Sequence, residues 1–377
     1  MTKLKARGPE RDHLRFCFAL HRAIAGDAAV SGDSCFSPYS VASALGLTSR
    51  ATRGAAAAEL LHLLTGGEAD VAKQAELLGA ASSLDEHDRG EPPVLAAANT
   101  LWAWDELPLN EDFLGELAAW PGGGVRTAPF VRDPDAARRR INADVAETTR
   151  RLIPELLQPG AVTDDTVACL VNALYLKLAW THPFPAQRTA DGDFHSPGGL
   201  RRVPTMHQSA MLGHAARDGW QLVVLPGAGG VQALILLPDG DLASQESDLD
   251  PDVLANLLSA KGNKQVSLSL PKFRLDRRAA LKTALAGLGV RTMFTREADF
   301  APLTPDPRVF VDDVVHQAVL RIDEEGLEGA AATAVVFRTL AMVHAEPVEV
   351  VVDRPFLLLV RHARTGVVYF FARVVEP

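Results

Sequence analysis

The stretch that decides the fold reads Ile322-Asp323-Glu324-Glu325-Gly326-Leu327-Glu328-Gly329-Ala330-Ala331-Ala332-Thr333. Its segment from Gly326 follows a predicted strand, Val319–Ile322, and the acidic pair Glu324-Glu325, and its two glycines argue against a stable helix, since each costs ~1 kcal/mol relative to alanine. With a period of two, the odd positions from Leu327 to Phe337 are small or apolar, and the even positions hold the only charges, Glu328 and Arg338. A strand with this pattern has a core face and a solvent face. Its centre buries little apolar area, so the segment can form a strand without being committed to one.

Around this stretch, helical patterns dominate the first half of the chain and strand patterns the second. The predicted helices are His13–Ile24, a run that opens at Ser37-Pro38, Ala55–Leu64, Ala136–Leu157 and Arg278–Gly289. The predicted strands are Val94–Trp104, Val167–Trp180, Gln221–Leu225, Gln232–Leu237, Val266–Leu270 and much of Val348–Val375. This order favours an α+β fold with large sheets in a single domain, residues 1–377.

The charge and hydropathy of the chain exclude several functions. The formal net charge is −9, which is unsuited to wrapping nucleic acid or coating an anionic membrane. No stretch approaches the ~18 uncharged apolar residues of a membrane span. The N-terminus, MTKLKARGPERDHLRF, lacks the apolar core of a signal peptide. We therefore expect no nucleic-acid or membrane partner and a cytoplasmic protein, with secretion left open.

The densest basic run is Arg138-Arg139-Arg140, which is followed by Arg150-Arg151. If the predicted helix is continuous, residues eleven apart lie near one face, and the two runs would form a short basic stripe. Two interpretations stay open, a polyanion site and a solvated helix face. The solvated face is favoured, because that is what such runs usually mean.

The residue types that enzymes and metal sites use are present, but in no known arrangement. The sequence has no GxSxG, GxxxxGK[ST], HExxH or EF-hand pattern, and its 11 histidines are scattered. Three isolated carboxylates, of a kind usually solvated or capping, are Asp299, Asp312 and Asp313. Three widely spaced cysteines among apolar neighbours, interpreted as small buried hydrophobes, are Cys17, Cys35 and Cys169. We expect no catalytic residue, no metal and no cofactor, and thus no enzyme.

Eight short blocks, in order along nearly the whole chain, resemble those of the serpin family of protease inhibitors. The stretch quoted first resembles the serpin hinge, whose usual form is acidic-acidic-Gly-Thr-Glu-Ala-Ala-Ala-Ala-Thr. The other blocks are CFSPYSVA (35–42), NALYLKLAW with PF (172–184), VPTMHQ (203–208), LPKF (270–273), FVDDVVHQA (310–318), DRPF (353–356) and GVVYF (366–370). Each block alone is weak, but the set in family order is specific. The chain resembles a prokaryotic-type member without an evident signal peptide.

The resemblance implies the serpin fold: three β-sheets, eight or nine α-helices and an exposed reactive-centre loop at about 324–346. It implies a monomeric, metastable, single-use inhibitor of serine-type proteases, with cysteine proteases as further targets. The protease cuts the loop and forms an acyl-enzyme, and the cut loop then inserts into the main sheet as a new strand. The hinge that inserts first comprises Gly326, Leu327, Glu328, Gly329, Ala330, Ala331, Ala332 and Thr333.

The bond that the protease cuts follows from counting along the loop of the family. The count gives Leu340–Ala341, and Leu340 suits chymotrypsin-like, elastase-like or subtilisin-like enzymes, whose primary pockets are apolar. Because such counts slip by a residue or two, Arg338 is the alternative bait. Arg338 suits trypsin-like enzymes.

Two further groups of residues carry over from the family by position. The resemblance implies that the opening of the main sheet is controlled by a polar cluster, Ser37, Ser40, Asn172 and His316. It implies that the loop first enters the sheet next to Trp180, Lys272 and Glu324. Of these, Lys272 and Glu324 would form an ion pair. Without the resemblance, we would interpret the same residues as ordinary core residues or as a surface ion pair.

Two hinge positions depart from the family pattern. Leu327 stands where threonine is usual, and Gly329 stands where alanine is usual. Leu327 is bulky for the leading inward position, and Gly329 favours the uninserted loop. Slow insertion turns an inhibitor into a substrate, so a non-inhibitory serpin with a binding or chaperone-like role is the alternative function. An unrecognised hydrolase is remote because the catalytic motifs are missing.

Overall fold

Nine α-helices and fifteen strands lie within the residues that this computed structural model describes, which are 8–27, 32–67, 71–85, 91–117, 123–327 and 346–377. The helices are α1 Pro9–Asp27, α2 Pro38–Ala51, α3 Gly54–Thr65, α4 Val71–Ser82, α5 Glu111–Leu117, α6 Pro134–Thr148, α7 Leu242–Gln245, α8 Pro251–Ala260 and α9 Lys282–Gly287. The strands are β1 Ser34–Phe36, β2 Val94–Trp104, β3 Gly123–Ala128, β4 Ala168–Ala179, β5 Ala190–Ser196, β6 Gly199–Arg217, β7 Trp220–Pro226, β8 Val231–Pro238, β9 Gly262–Pro271, β10 Phe273–Ala280, β11 Val314–Ile322, β12 Gly326–Leu327, β13 Val348–Val351, β14 Phe356–His362 and β15 Val368–Val374.

The main sheet has six strands in the order β10-β11-β12-β4-β2-β3. β2 and β4 are its longest neighbours and run antiparallel, from Val94 opposite Lys177 to Ala103 opposite Ala168. β11 pairs antiparallel with β10 on one side and parallel with β4 on the other. The short β12 enters between β11 and β4 at one end of the sheet.

The remaining described strands form a nine-stranded sheet, β1-β15-β14-β8-β7-β6-β9-β13, with β5 added beside β6. β6 spans 19 residues and belongs to both halves of this sheet. Its first part pairs with β5 and its last part with β7, while β9 accompanies most of it. The second and third sheets of the expected fold are thus joined through one long strand. This long hairpin of β5 and β6 has no counterpart among the sequence-based predictions.

Local signals set the first helices as predicted. Ser37 is extended and accepts a hydrogen bond from the Ser40 N–H, and Pro38 follows at the first helical position, so α2 begins there. Gly66 closes α3 with a φ of 76°, a left-handed conformation that glycine adopts without strain. The strand predicted at Val94–Trp104 has the same bounds in the structure.

Two predicted helices are longer than the real ones. The helix predicted at Ala136–Leu157 ends at Thr148, because Arg150 and Arg151 have φ values of 49° and 66° and turn the chain away. The two basic runs therefore do not share a helix face, and the predicted stripe does not form. The helix predicted at Arg278–Gly289 starts at Lys282. Its first residues belong to β10, where pairing with β11 outweighs local helix propensity.

The core packs between the two sheets and the helices around them. All three cysteines are buried free thiols, and burial raises the pKa of Cys169 to about 12, as befits an inert apolar side chain. A smaller apolar cluster lies on the other face of the main sheet, under α6. Among the described residues, no helix is long and apolar enough to cross a bilayer, and no group of three or more potential metal ligands is found.

Candidate functional site

The start of the hinge lies between two strands of the main sheet. Leu327 is opposite Ile322 of β11 and Leu178 of β4, and Gly326 is opposite Ala179. The side chain of Leu327 is 1% exposed and belongs to the main core. A Cβ at position 326 would collide with the carbonyl oxygen of Leu178, so glycine is required by close backbone approach.

Further along the sheet, β11 and β4 pair directly with each other. Val314 to Ala318 lie opposite Leu170 to Leu174 in a parallel register, and we call this contact the seam. Paired strands are ~4.8 Å apart, so no third strand fits between them at this level. At the level of the seam, β11 and β4 therefore have no strand between them, and the described hinge residues, Gly326 and Leu327, lie between these two strands beyond the end of the seam.

The predicted polar cluster lies at the seam and is connected by hydrogen bonds. Asn172 and His316 are opposite each other across the seam, and Nδ1 of His316 lies 2.7 Å from Oδ1 of Asn172. The backbone N–H of Ser37 donates to Nε2 of His316 over 2.9 Å, and Nδ2 of Asn172 donates to the carbonyl oxygen of Ser40 over 2.6 Å. All four residues are fully buried. The cluster thus joins α2 to both strands of the seam.

The hydrogen bonds of His316 define its protonation. Because Nε2 accepts from Ser37, the ring proton is on Nδ1, which donates to Asn172. Burial lowers the pKa of His316 to about 4, and the hydrogen bond to Asn172 opposes this only in part. The neutral ring is therefore part of the fold at neutral pH.

Asn99 is a member of the cluster that the sequence interpretation missed. Its Oδ1 accepts from the hydroxyl of Ser40 over 2.9 Å and from Nδ2 of Asn172 over 2.8 Å. It lies on β2, opposite Asn172. An isolated asparagine inside the apolar run Val94–Trp104 was the available signal, because a buried amide requires partners.

The predicted loop-entry residues come together at the other end of β4. Nζ of Lys272 lies 2.7 Å from Oε2 of Glu324, and the hydroxyl of Thr189 donates to Oε1 of Glu324 over 2.9 Å. Partial burial by itself would raise the pKa of Glu324, but the hydrogen bonds from Lys272, from the backbone and from Thr189, together with the charge of Lys272, outweigh it and the net shift is downward. The N–H of Trp180 donates to the carbonyl oxygen of Glu325 over 2.8 Å. The ion pair and the tryptophan therefore hold the chain just before the hinge.

Asp323 forms the turn into the hinge, which the sequence interpretation did not assign. Its Oδ1 accepts from the N–H groups of Glu325 and Gly326, at 3.0 and 3.2 Å. Its backbone carbonyl accepts from Nε1 of Trp180 over 3.0 Å. An aspartate that binds N–H groups two and three residues ahead is a common turn former, so the side chain reverses the chain between β11 and β12.

The remaining predicted site residues lie outside the described residues. They are the reactive bond Leu340–Ala341, the alternative bait Arg338 and the later hinge residues Glu328, Gly329, Ala330, Ala331, Ala332 and Thr333.

Comparison with solved structures identifies the class of fold. Uncleaved ovalbumin superimposes with a TM-score of 0.86 at 22% identity, covering 98% of this chain and 100% of ovalbumin. Human thyroxine-binding globulin complexed with thyroxine superimposes with the same TM-score, 0.86, at 24% identity and 98% coverage of both chains. The fold is thus that of the serpins, with the expected helices and mixed sheets.

Sequence comparison places the chain in the family. The family model described as serpin (serine protease inhibitor) matches residues 12–377. An uncharacterized serpin-like protein of Thermococcus kodakarensis is 30% identical over 365 residues, covering 96% of this chain and 84% of that protein. The leukocyte elastase inhibitor of Bos taurus is 30% identical over 359 residues, covering 92% of this chain and 94% of that protein. This chain belongs to the serpin family, whose members generally inhibit proteases and are not enzymes.

Proposed function

We propose that this chain is a single-use inhibitor of serine-type proteases, whose loop is cut near Leu340–Ala341 and inserts into the main sheet. One observation carries the proposal. The hinge already begins a strand, β12, between β11 and β4, in line with the seam that a longer strand would open. Continuation of β12 along the gap would add a strand paired on both sides, with new backbone hydrogen bonds on each.

The alternation of the hinge supports continued insertion. Leu327 faces the main core, so the following inward positions would be Gly329, Ala331 and Thr333, all of them small. Glu328 would face the opposite side. Small side chains can enter a packed interior without displacing their neighbours, whereas a run of large ones would not. The bulky Leu327 is already accommodated in the core, so it does not obstruct the first step.

The chemistry of trapping is that of the protease. Its serine hydroxyl attacks the carbonyl carbon of Leu340, the bond to the nitrogen of Ala341 breaks, and the new amine takes a proton and departs. Leu340 is then held as an ester. Inhibition requires insertion to distort the protease before water hydrolyses that ester, so the outcome depends on the relative rates of insertion and deacylation.

The protease class is part of the proposal. Leu340 favours enzymes with an apolar primary pocket, and two similar mammalian relatives carry the name leukocyte elastase inhibitor. Arg338 is the alternative bait and favours trypsin-like enzymes. We infer that elastase-like, chymotrypsin-like or subtilisin-like enzymes are the partners.

Incubation with chymotrypsin, elastase, subtilisin and trypsin tests this function. We expect an SDS-resistant complex with at least one of the first three, and a large rise in melting temperature after cleavage. The variant Leu340→Arg should shift complex formation toward trypsin, while the matched variant Arg338→Gln should leave the preference unchanged. If trypsin is already the best target and Arg338→Gln abolishes its complex, the bait is Arg338.

A non-inhibitory binding protein is the second candidate, because Leu327 and Gly329 depart from the hinge pattern of inhibitors. Thyroxine-binding globulin, with the same fold, is complexed with thyroxine in its solved structure. Cleavage without a complex and without a rise in melting temperature would support this candidate and contradict inhibition.

A further inference from the structure

A segment on the outer face of the main sheet is fixed to α6. It belongs to the connection between α6 and β4, and we call residues 155–158 the strap. Nδ2 of Asn142 in α6 donates to the carbonyl oxygen of Leu157 over 2.9 Å, and the N–H of Leu157 donates back to Oδ1 of Asn142 over 2.8 Å. Asn142 is 6% exposed, so this reciprocal pair is shielded from water.

The strap packs over the seam. Leu156 and Leu157 are buried in the smaller apolar cluster, which contains side chains of α6 and of both strands of the main sheet that flank the seam. From β4 these include Val171 and Ala173, and from β11 they include Val319, with Val315 packed against them. Separation of β11 from β4 would therefore divide this cluster.

Arg278 ties the other side of the strap to β10. One terminal nitrogen, Nη2, donates to the carbonyl oxygen of Glu155 over 2.5 Å. With the Gln158 amide oriented so that its oxygen faces the guanidinium, that oxygen accepts from Nη1 and Nη2 over 2.9 and 3.1 Å. Because β10 lies beyond β11 as seen from β4, the strap is anchored on both sides of the seam.

Arg278 on one face of the sheet and the polar cluster on the other face lie next to neighbouring residue pairs of the seam. Arg278 is opposite Gln317 of β11, and Gln317 is opposite Ala173 of β4. The neighbouring pair on the seam is His316 and Asn172, whose side chains belong to the polar cluster on the other face. Insertion of a strand would move β11 and β10 away from β4 by one strand spacing, ~4.8 Å. The hydrogen bonds from Arg278 to the strap would break over this distance unless the strap moved with β10.

We propose that Arg278 is a positioning residue that keeps the seam closed through the strap and so controls how fast the main sheet opens. Its role in trapping a protease rests on the proposed inhibitory function, whereas its effect on the seam does not. Loss of the guanidinium removes charge-assisted hydrogen bonds across the seam and should speed opening about tenfold, the equivalent of one such bond.

Amide hydrogen exchange of the intact, uncleaved chain tests the effect on the seam. Arg278→Met keeps an unbranched side chain without donors, and Arg274→Met is the matched control, an exposed arginine on the same strand whose ion-pair partner is Asp276 rather than the strap. We expect exchange in peptides of β4 and β11 at the seam to rise about tenfold in Arg278→Met only. Equal exchange in the two variants, or an equal rise in β8 and β14 of the other sheet, would overturn the proposal.

A second variant changes a residue of the strap itself and keeps the proposal testable if Arg278→Met misfolds. Gln158→Leu removes one acceptor of Arg278 and leaves the strand unchanged, so it should raise exchange at the seam by a smaller factor. Arg278→Lys, which retains a charge and a donor, should lie between wild type and Arg278→Met. No rise in Gln158→Leu, with Arg278→Lys behaving as Arg278→Met, would contradict the strap contact.

The partition of the acyl-enzyme tests the role in trapping. If wild type traps a protease, faster opening in Arg278→Met should lower the number of inhibitor molecules consumed per protease trapped. An unchanged number, despite faster exchange at the seam, would refute control of trapping by Arg278. If wild type traps no protease while exchange behaves as expected, the proposed function fails and the effect of Arg278 on the seam stands.

Discussion

The polar cluster at the seam predicts a large loss of stability for Asn172→Ala. The side chain of Asn172 accepts from Nδ1 of His316 and donates to the carbonyl oxygen of Ser40 and to Oδ1 of Asn99, over 2.7, 2.6 and 2.8 Å. Asn99 keeps the hydroxyl of Ser40 as a donor, whereas within the described part of the chain Nδ1 of His316 has Asn172 as its one partner. A buried donor without a partner costs about 2 kcal/mol, and each lost bond to an acceptor costs about 1 kcal/mol. We expect the free energy of unfolding to fall by about 4 kcal/mol.

Urea unfolding followed by tryptophan fluorescence measures this change. The matched control is Asn263→Ala, the same substitution at an exposed position of β9, which should change the free energy of unfolding by less than about 0.5 kcal/mol. If the free energy of unfolding of Asn172→Ala lay within about 1 kcal/mol of the wild-type value, the polar cluster would not stabilise the pairing of β11 with β4 at the seam. Equal effects of the two variants would lead to the same conclusion.

Three further predictions concern pH, the hinge and the loop-entry ion pair. Burial lowers the pKa of His316 and of His13 to about 4, so the unfolded chain binds protons first as the pH falls from about 6.5. The free energy of unfolding should thus decrease between pH 6.5 and 4, by up to about 3 kcal/mol for each histidine, and a flat urea midpoint across this range would contradict their burial. Gly326→Ala forces a Cβ against the backbone of β4 and should lower the melting temperature, at a cost of about 1–3 kcal/mol, whereas an unchanged melting temperature would show that β12 is not seated there. Lys272→Met removes a partly exposed ion pair with Glu324 and should cost only about 1 kcal/mol, less at high salt; a loss that does not depend on salt would point to packing of the lysine stem instead.

Elements with strong local signals were predicted closely. The N-cap at Ser37 with Pro38 set the start of α2, and the mainly apolar run of Val94–Trp104 predicted β2 with the right bounds. The helix predicted through Arg150 and Arg151 was wrong, because two successive left-handed residues ended it. Nothing in their side chains requires that conformation. It follows from the turn that brings the strap back beside α6.

Membership in the serpin family and the residues of the polar cluster also came from the sequence, through blocks matched in order. The matches named Ser37, Ser40, Asn172 and His316 but not Asn99, which belongs to none of the blocks. Arg278 was interpreted as a helix residue, and only its register on β10 brings it to the strap. Residues that act through a strand register have no local signal, because the register is set by the neighbouring strands.

The sequence by itself determined the alternating hinge, the caps of the early helices and the family, since each depends on residues close together in the chain or on their order. The tertiary structure decided which strands flank Gly326 and Leu327 and which side chains meet at the seam. Nδ1 of His316 meets Asn172 across 144 positions of sequence, and Arg278 meets Glu155 across 123. Such partners are chosen by the packing of strands and helices into one sheet, where many weak contacts together fix a register that no single side chain specifies.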